Sequence, residues 1–382
     1  MVVRKLSSFS FLFALMFVVA AVPAQAITTM AASLSGANER PTTGDVDGAG
    51  FALVIIDPDL GTVRYALFVQ NIGAPTAAHI HRGTSDVAGP VVVNFNPSFS
   101  NGVASGSVQA GVSPLLNEII GNPGGFYVNV HNGDFPGGAI RGQLVAAASD
   151  ATDAVFPIVG RVVGANATFY RTDIALLNRS GEDTSVVLEF YPAGAAGNAG
   201  PSAIATVALD ADEQETLIGD ELQTLLGLSN GLGALRVISP RHVHAVARIY
   251  NDQRAADRGT FSQFVPAQSG TQNRTSGSLP MLSHAPAATG AGYRTNIGWF
   301  NSGPSQVTVT WRAHDAGGAV LATSESVIAP RASGQTGLND LFPVLTTTET
   351  LYVTFTTTGG PLYAYASIVD NVNGDAIFIP VQ

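Results

Sequence analysis

The chain contains no cysteine, which excludes a disulfide framework, a cysteine nucleophile and a lipid-modified N-terminal cysteine. Charge is scarce as well. Asp, Glu, Lys and Arg make up 12% of the residues, about half the share of an ordinary globular protein. No Lys or Arg cluster follows Lys5 and the formal net charge is −10, so the surface repels polyanions and nucleic acid is not an expected partner. Beyond the N-terminus no apolar run reaches the roughly 20 residues of a bilayer span. Enzyme signatures are missing too: there is no Gly-x-Ser-x-Gly elbow, His-Glu-x-x-His helix, phosphate-binding loop or dinucleotide fingerprint. These absences point toward a non-enzymatic protein, with no catalytic residue to assign.

What is present begins with an export signal. Arg4-Lys5 precede an apolar stretch from about Phe11 to Val22, and Ala24-Gln25-Ala26 supplies a small-x-small cleavage pattern. Residues 1–26 therefore read as a signal peptide cut after Ala26, and the mature chain is expected to be secreted, extracellular or periplasmic, with no membrane span. Polar, small-residue stretches at 147–153 and 268–278 divide the remainder into segments 27–150, 151–268 and 277–382. Each is long enough to bury a core of its own, which a chain without disulfides requires.

Within these segments the hydrophobic period is two. Val63, Tyr65, Leu67 and Val69 alternate with other residues, as do Phe126, Val128 and Val130, and Val307, Val309 and Trp311. Turn residues fall between such runs at Asp57-Pro58-Asp59-Leu60-Gly61, Asn132-Gly133-Asp134 and Asn373-Gly374-Asp375. Short helices are expected only around 114–120 and 219–226. The chain also matches itself: Tyr170-Arg171-Thr172-Asp173-Ile174 with Asn178 recurs as Tyr293-Arg294-Thr295-Asn296-Ile297 with Asn301. Phe264-Val265-Pro266-Ala267-Gln268 likewise matches Phe378-Ile379-Pro380-Val381-Gln382. A period above 100 residues is too long for a solenoid unit, so 154–268 and 277–382 read as two copies of one complete module. The predicted fold class is all-β: three consecutive antiparallel sandwiches of Greek-key or immunoglobulin-like kind. The repeated segment resembles tandem sandwich modules of secreted bacterial proteins, a likeness that implies no activity.

In the first segment four motifs occur in order: Leu34-Ser35-Gly36-Ala37-Asn38-Glu39-Arg40-Pro41, Ala78-His79-Ile80-His81-Arg82-Gly83, Tyr127-Val128-Asn129-Val130-His131 and Phe135-Pro136-Gly137-Gly138-Ala139-Ile140-Arg141-Gly142. Together they resemble the CHRD domain, named for its occurrence in chordin, over residues 28–147. That resemblance implies an extracellular β-sandwich; the chain as a whole reads as a secreted or cell-surface protein with a binding or structural role toward a protein or glycan partner.

The residues themselves suggest something sharper. Side chains alternate across a strand, so His79 and His81 leave one face while Ala78 and Ile80 leave the other. His131 shares a face with Asn129 and Tyr127, opposite the apolar Phe126, Val128 and Val130. Three neutral imidazoles can hold copper or zinc. The pattern is similar to the copper ligands of copper/zinc superoxide dismutases, but the segment has no fourth histidine, no zinc cluster and no disulfide. Alternatively, His79 and His131 bond across neighbouring strands, with Arg82, Arg141, Asp134 or Asn129 nearby, and fix the sheet's register. Arg82 and Arg141 are expected at one end of the domain, where with Asn129 they would bind a carboxylate ligand.

Other groupings read as structural. Asp45, Asp47, Asp57 and Asp59 are turn formers rather than a calcium loop. His242 and His244 form a second His-x-His without a third ligand, and the acidic run Asp210, Asp212, Glu213 and Glu215 reads as a solvated face. Arg171 and Asp173 are expected to pair with each other and set a register, with Asn178 turning the loop that follows.

Overall fold

The computed structural model describes residues 27–382 except 112–113, 148–150, 165–167, 196–199, 229, 255–256, 286–289 and 347. The expected signal peptide lies outside the described residues. The N-terminal region holds β1 (Thr28–Ser35), β2 (Ala49–Asp57), β3 (Thr62–Gln70), β4 (Pro75–Arg82), β5 (Val91–Asn94), β6 (Val103–Gln109), α1 (Pro114–Gly121), β7 (Phe126–Asn132), β8 (Ile140–Gln143) and β9 (Val145–Ala146). Its strands follow the order β5-β4-β7-β8-β1-β2-β3-β6, with β9 on β1. β8 and β1 pair through Ser35 opposite Arg141 alone, so two four-stranded halves close on a shared core. Alternation fills that core as expected, with Val63, Tyr65, Leu67, Phe126, Val128 and Val130 buried and α1 adding Leu116 and Ile119. The three expected turns each join antiparallel neighbours: β2 to β3, β7 to β8 and, near the C-terminus, strand Tyr363–Asp370 to strand Ala376–Pro380.

The middle region consists of β10 (Thr152–Val163), β11 (Phe169–Asn178), β12 (Thr184–Pro192), β13 (Ala203–Leu209), β14 (Gln214–Leu217), α2 (Glu221–Leu226), β15 (Gly231–Ser239), β16 (Val243–Asp252) and β17 (Thr260–Pro266). One sheet runs β13-β12-β15-β10 and the other β14-β11-β16-β17. They are joined where β10, after a bulge between Phe156 and Val159, turns Val162 and Val163 onto β11. The last region has β18 (Ser276–His284), β19 (Tyr293–Phe300), β20 (Val307–Asp315), β21 (Val320–Ile328), β22 (Ser333–Gly337), α3 (Leu338–Leu341), β23 (Thr348–Thr358), β24 (Tyr363–Asp370) and β25 (Ala376–Pro380). Its sheets, β21-β20-β23-β18 and β22-β19-β24-β25, repeat the middle region's order strand for strand.

Asn178 and Asn301 occupy matching corners. Each side-chain amide donates to a carbonyl of the next turn, Glu182 O or Ser305 O, and to one just past a later strand, Asp210 O after β13 or Ala329 O after β21. The expected Arg171–Asp173 pair does not form. Neighbouring residues on a strand's one face lean toward different strands: Asp173 binds Arg248 of β16 at 2.6 Å, while Arg171 lies 3.8 Å from Asp220.

The sandwiches pack on one another through apolar contacts with buried charges beside them. β2 is buried on both faces, and Leu53 and Ile55 of its second face meet Val187 and Ile238 of the middle region. Beside this apolar contact lie Asp57, Arg64 and Glu189, each about 1% exposed or less. Arg64 Nε donates to Glu189 Oε1, Tyr191 OH donates to Glu189 Oε2 at 2.8 Å, and Arg236 holds Asp153 with two bonds of 2.7 and 2.6 Å. Arg331, from the last region, donates to Asp57 Oδ2. Asp57 is thus more than a turn former. Its Oδ1 accepts from Leu60 N at 3.0 Å in the β2–β3 turn, and its other oxygen binds 274 residues away.

Candidate metal centre in the N-terminal sandwich

Strand pairing builds the site. In the β4–β7 ladder His79 stands opposite Asn129, His81 opposite Tyr127 and Ala77 opposite His131, so all three imidazoles emerge on the side away from the apolar core. One nitrogen of each ring lies within 4.8 Å of the other two. The ring centroids are 5.0, 5.6 and 6.1 Å apart.

Two backbone carbonyls orient the rings. His81 Nδ1 lies 2.8 Å from Gly89 O and His131 Nδ1 lies 3.0 Å from Pro136 O. A carbonyl only accepts, so each Nδ1 carries the proton and each Nε2 presents a lone pair. His81 Nε2 is buried and has no hydrogen-bond partner. His131 Nε2 faces His79 Nδ1 at 3.1 Å, which makes His79 the donor in that contact. Burial holds all three imidazoles below the ordinary histidine pKa, with His79 brought down to about 4 by burial and by its two neighbours. At neutral pH the trio is uncharged, the form that ligates metal.

Around the trio the polar layer continues along the sheet. His81 stacks on Tyr127 at 4.9 Å, and the Arg141 guanidinium lies 3.4 Å from the other ring's centroid as a cation–π contact. Arg141 also donates to Thr84 O at 2.6 Å and to Gln143 Oε1 at 3.2 Å. Asn129 is buried and donates to Glu39 Oε2 at 3.3 Å. Glu39 itself is buried, and desolvation, outweighing the attraction of Arg141, raises its pKa to about 7. Gly138 makes room for this pair: a Cβ there would sit 2.6 Å from Glu39 Oε2 and 2.7 Å from Asn129 Nδ2.

Of the residues singled out from sequence, His79, His81 and His131 come together, and Asn129 and Arg141 adjoin them. Arg82 does not. It follows His81 by one residue and leaves the opposite face, where it pairs with Glu118 of α1 and covers the Phe126 ring at 5.1 Å. Two guanidinium groups therefore do not converge on one carboxylate. The structure adds Glu39 and Tyr127, whose positions in the quoted motifs carried no chemical signal beyond proximity to the histidines. His242 and His244 are exposed and face each other at 3.2 Å at the start of β16, and among the described residues His79, His81 and His131 are the cluster with metal-ligand spacing.

Residues 30–144 match the family model of the CHRD domain. The chain therefore contains a CHRD domain. No curated protein matches the sequence. The matched span runs from β1 to the end of β8, so the CHRD domain contains every member of the histidine site and of the polar layer beside it. Among the described residues no helix is long and apolar enough to cross a membrane.

Proposed function

We propose that the CHRD domain binds one copper or zinc ion through His79, His81 and His131, within an exported, non-enzymatic binding protein. The observation that carries this reading is the buried, partnerless Nε2 of His81 in a cluster whose ring nitrogens lie within 4.8 Å of one another, with His81 and His131 each held by a carbonyl on Nδ1. Backbone acceptors on the far nitrogen are the usual outer support of metal-bound histidine. Ligand nitrogens about 2.0–2.1 Å from a tetrahedral ion stand roughly 3.4 Å apart, so nitrogens that lie within 4.8 Å of one another close by at most about 1.4 Å. The ion replaces the His79–His131 hydrogen bond. Its fourth position is left to water or to a partner's side chain.

A second reading is favoured by that same hydrogen bond: the trio braces β4 against β7, and the three sandwiches form a scaffold whose loops meet an extracellular protein or glycan. Matching strand orders in 154–268 and 277–382 support a duplicated module in either case, and the N-terminal flanks support export with cleavage after Ala26. Zinc and copper(II) titration of the chain from residue 27 separates the readings. Uptake of one equivalent that disappears in His81→Gln, with an unchanged circular dichroism spectrum, supports the metal site; absence of saturable uptake overturns it and leaves the brace.

A further inference from the structure

A cavity of about 550 Å³ lies between the middle and last sandwiches, within the range of small-molecule sites and at a domain boundary where they are common. Its floor is apolar, with Ile158, Leu232 and Ile249 from one sandwich and Val369 from the other. Arg294, His284 and Asn339 also line it.

The middle sandwich shows what those three positions ordinarily do. Thr172 Oγ1 donates to Gly160 O just before Arg161, and Thr295 Oγ1 donates to Ser283 O just before His284. Arg171 stands opposite Tyr250 and Arg294 opposite Val369 in the two equivalent ladders. Ile174 pairs with Leu217, three residues before Asp220, as Ile297 pairs with Thr336, three residues before Asn339. In the middle sandwich these places hold a charge cluster: Asp220 Oδ1 lies 3.1 Å from Arg161 Nε and 3.8 Å from Arg171 Nη1.

In the last sandwich the acid at this position is gone, although Asp340 beside it still attracts His284. Asn339 replaces Asp220, His284 replaces Arg161, and Arg294 remains, donating to Asn371 Oδ1 at 3.0 Å with no carboxylate in ion-pair range among the described residues. His284 is buried. Its Nδ1 accepts from Thr295 N at 3.3 Å, so the neutral ring carries its proton on Nε2, which has no partner. Both side chains line the cavity: Arg294 spends one N–H on Asn371, and the buried Nε2–H of His284 has no acceptor, a costly arrangement unless one is supplied.

We infer that this cavity binds a small organic carboxylate with an apolar body. Its carboxylate takes the place that Asp220 fills in the sister sandwich, between Arg294 and His284 Nε2–H, and its body lies on the aliphatic floor. Asp340, exposed at the rim, opposes the anion and limits affinity.

The test uses 4-phenylbutanoate and the neutral 4-phenylbutanamide as probes on the full exported chain, by calorimetry and ligand-observed NMR. The acid binds at one site, and the amide is weaker by about tenfold or more, as expected when a charged acceptor is lost. Arg294→Gln weakens the acid comparably. Asn339→Asp restores an internal carboxylate at an exposed position, so it abolishes binding while leaving the thermal midpoint unchanged or higher; Asp340→Asn tightens binding. No binding of the acid, equal binding of acid and amide, or undiminished binding in a folded Asn339→Asp chain overturns the inference. These results are independent of metal at the CHRD site.

Discussion

Removing the Glu189 carboxylate tests how the sandwiches hold together. Glu189 is fully buried, accepts from Arg64 Nε and Tyr191 OH, and has Arg236 Nη1 at 3.7 Å. In Glu189→Ala the buried Arg64 keeps only Asp57, at 4.0 Å, while its Nη1 and Nη2 already lack hydrogen-bond partners. Breaking one side of a buried ion pair destabilises by about 3–5 kcal/mol, because a desolvated charge is left behind. With a urea dependence of about 1–3 kcal/mol per molar, the midpoint falls by roughly 1–3 M. Both tryptophans, Trp299 and Trp311, belong to the last sandwich, so fluorescence follows that sandwich while circular dichroism follows all the strands. The two probes coincide in the parent chain and separate in Glu189→Ala, the fluorescence transition now lagging. A companion Arg64→Met/Glu189→Met chain recovers most of the loss, since apolar replacement of both partners removes the stranded charge. Unchanged midpoints and coincident probes in Glu189→Ala would refute the argument that this network couples the sandwiches.

Two pH predictions follow from the CHRD site and have opposite signs. Burial depresses the His79 pKa to about 4 in the folded chain, while the unfolded chain takes up a proton near pH 6.5; metal-free stability is therefore full above pH 6.5 and declines toward pH 4. His79→Gln flattens that decline in denaturation midpoints measured across the interval. Burial raises Glu39 to about 7, so its share of stability is present below about pH 4.5 and is lost as pH rises through 7. Glu39→Gln, which stays neutral and keeps an acceptor for Asn129, gains on the parent chain at pH 8 relative to pH 4; a pH-independent difference between the two chains would contradict the burial argument.

Much of the fold was legible because each region has one apolar layer that imposes period two. Phe126, Val128 and Val130 announced both the core face and, by exclusion, the face that carries His131. The histidine cluster was legible for the same reason, since His79 and His81 needed only one neighbouring strand to bring the third ring. What alternation cannot report is which loop folds over that face. Glu39 reaches Asn129 from a turn 90 residues earlier, and nothing in local spacing encodes that approach. Arg82, expected beside Arg141 at one end of the domain, sits on the other face because one step along a strand from His81 reverses it. The charge network was also missed, although a signal existed: Arg64, Glu189 and Arg236 are lone charges inside the apolar strands β3, β12 and β15. An isolated ion in such a run requires a buried partner from elsewhere, and the unbroken Ala52-Leu53-Val54-Ile55-Ile56 indicated a strand covered on both faces.

Copper(II) electron paramagnetic resonance on the chain from residue 27 addresses the three-imidazole site most directly. Closure of His79, His81 and His131 on a single ion predicts one copper signal with hyperfine structure from three equatorial nitrogens, reduced to two in His131→Gln. A spectrum of aqueous copper alone, or one that persists unaltered when all three histidines are replaced by glutamine, would contradict it.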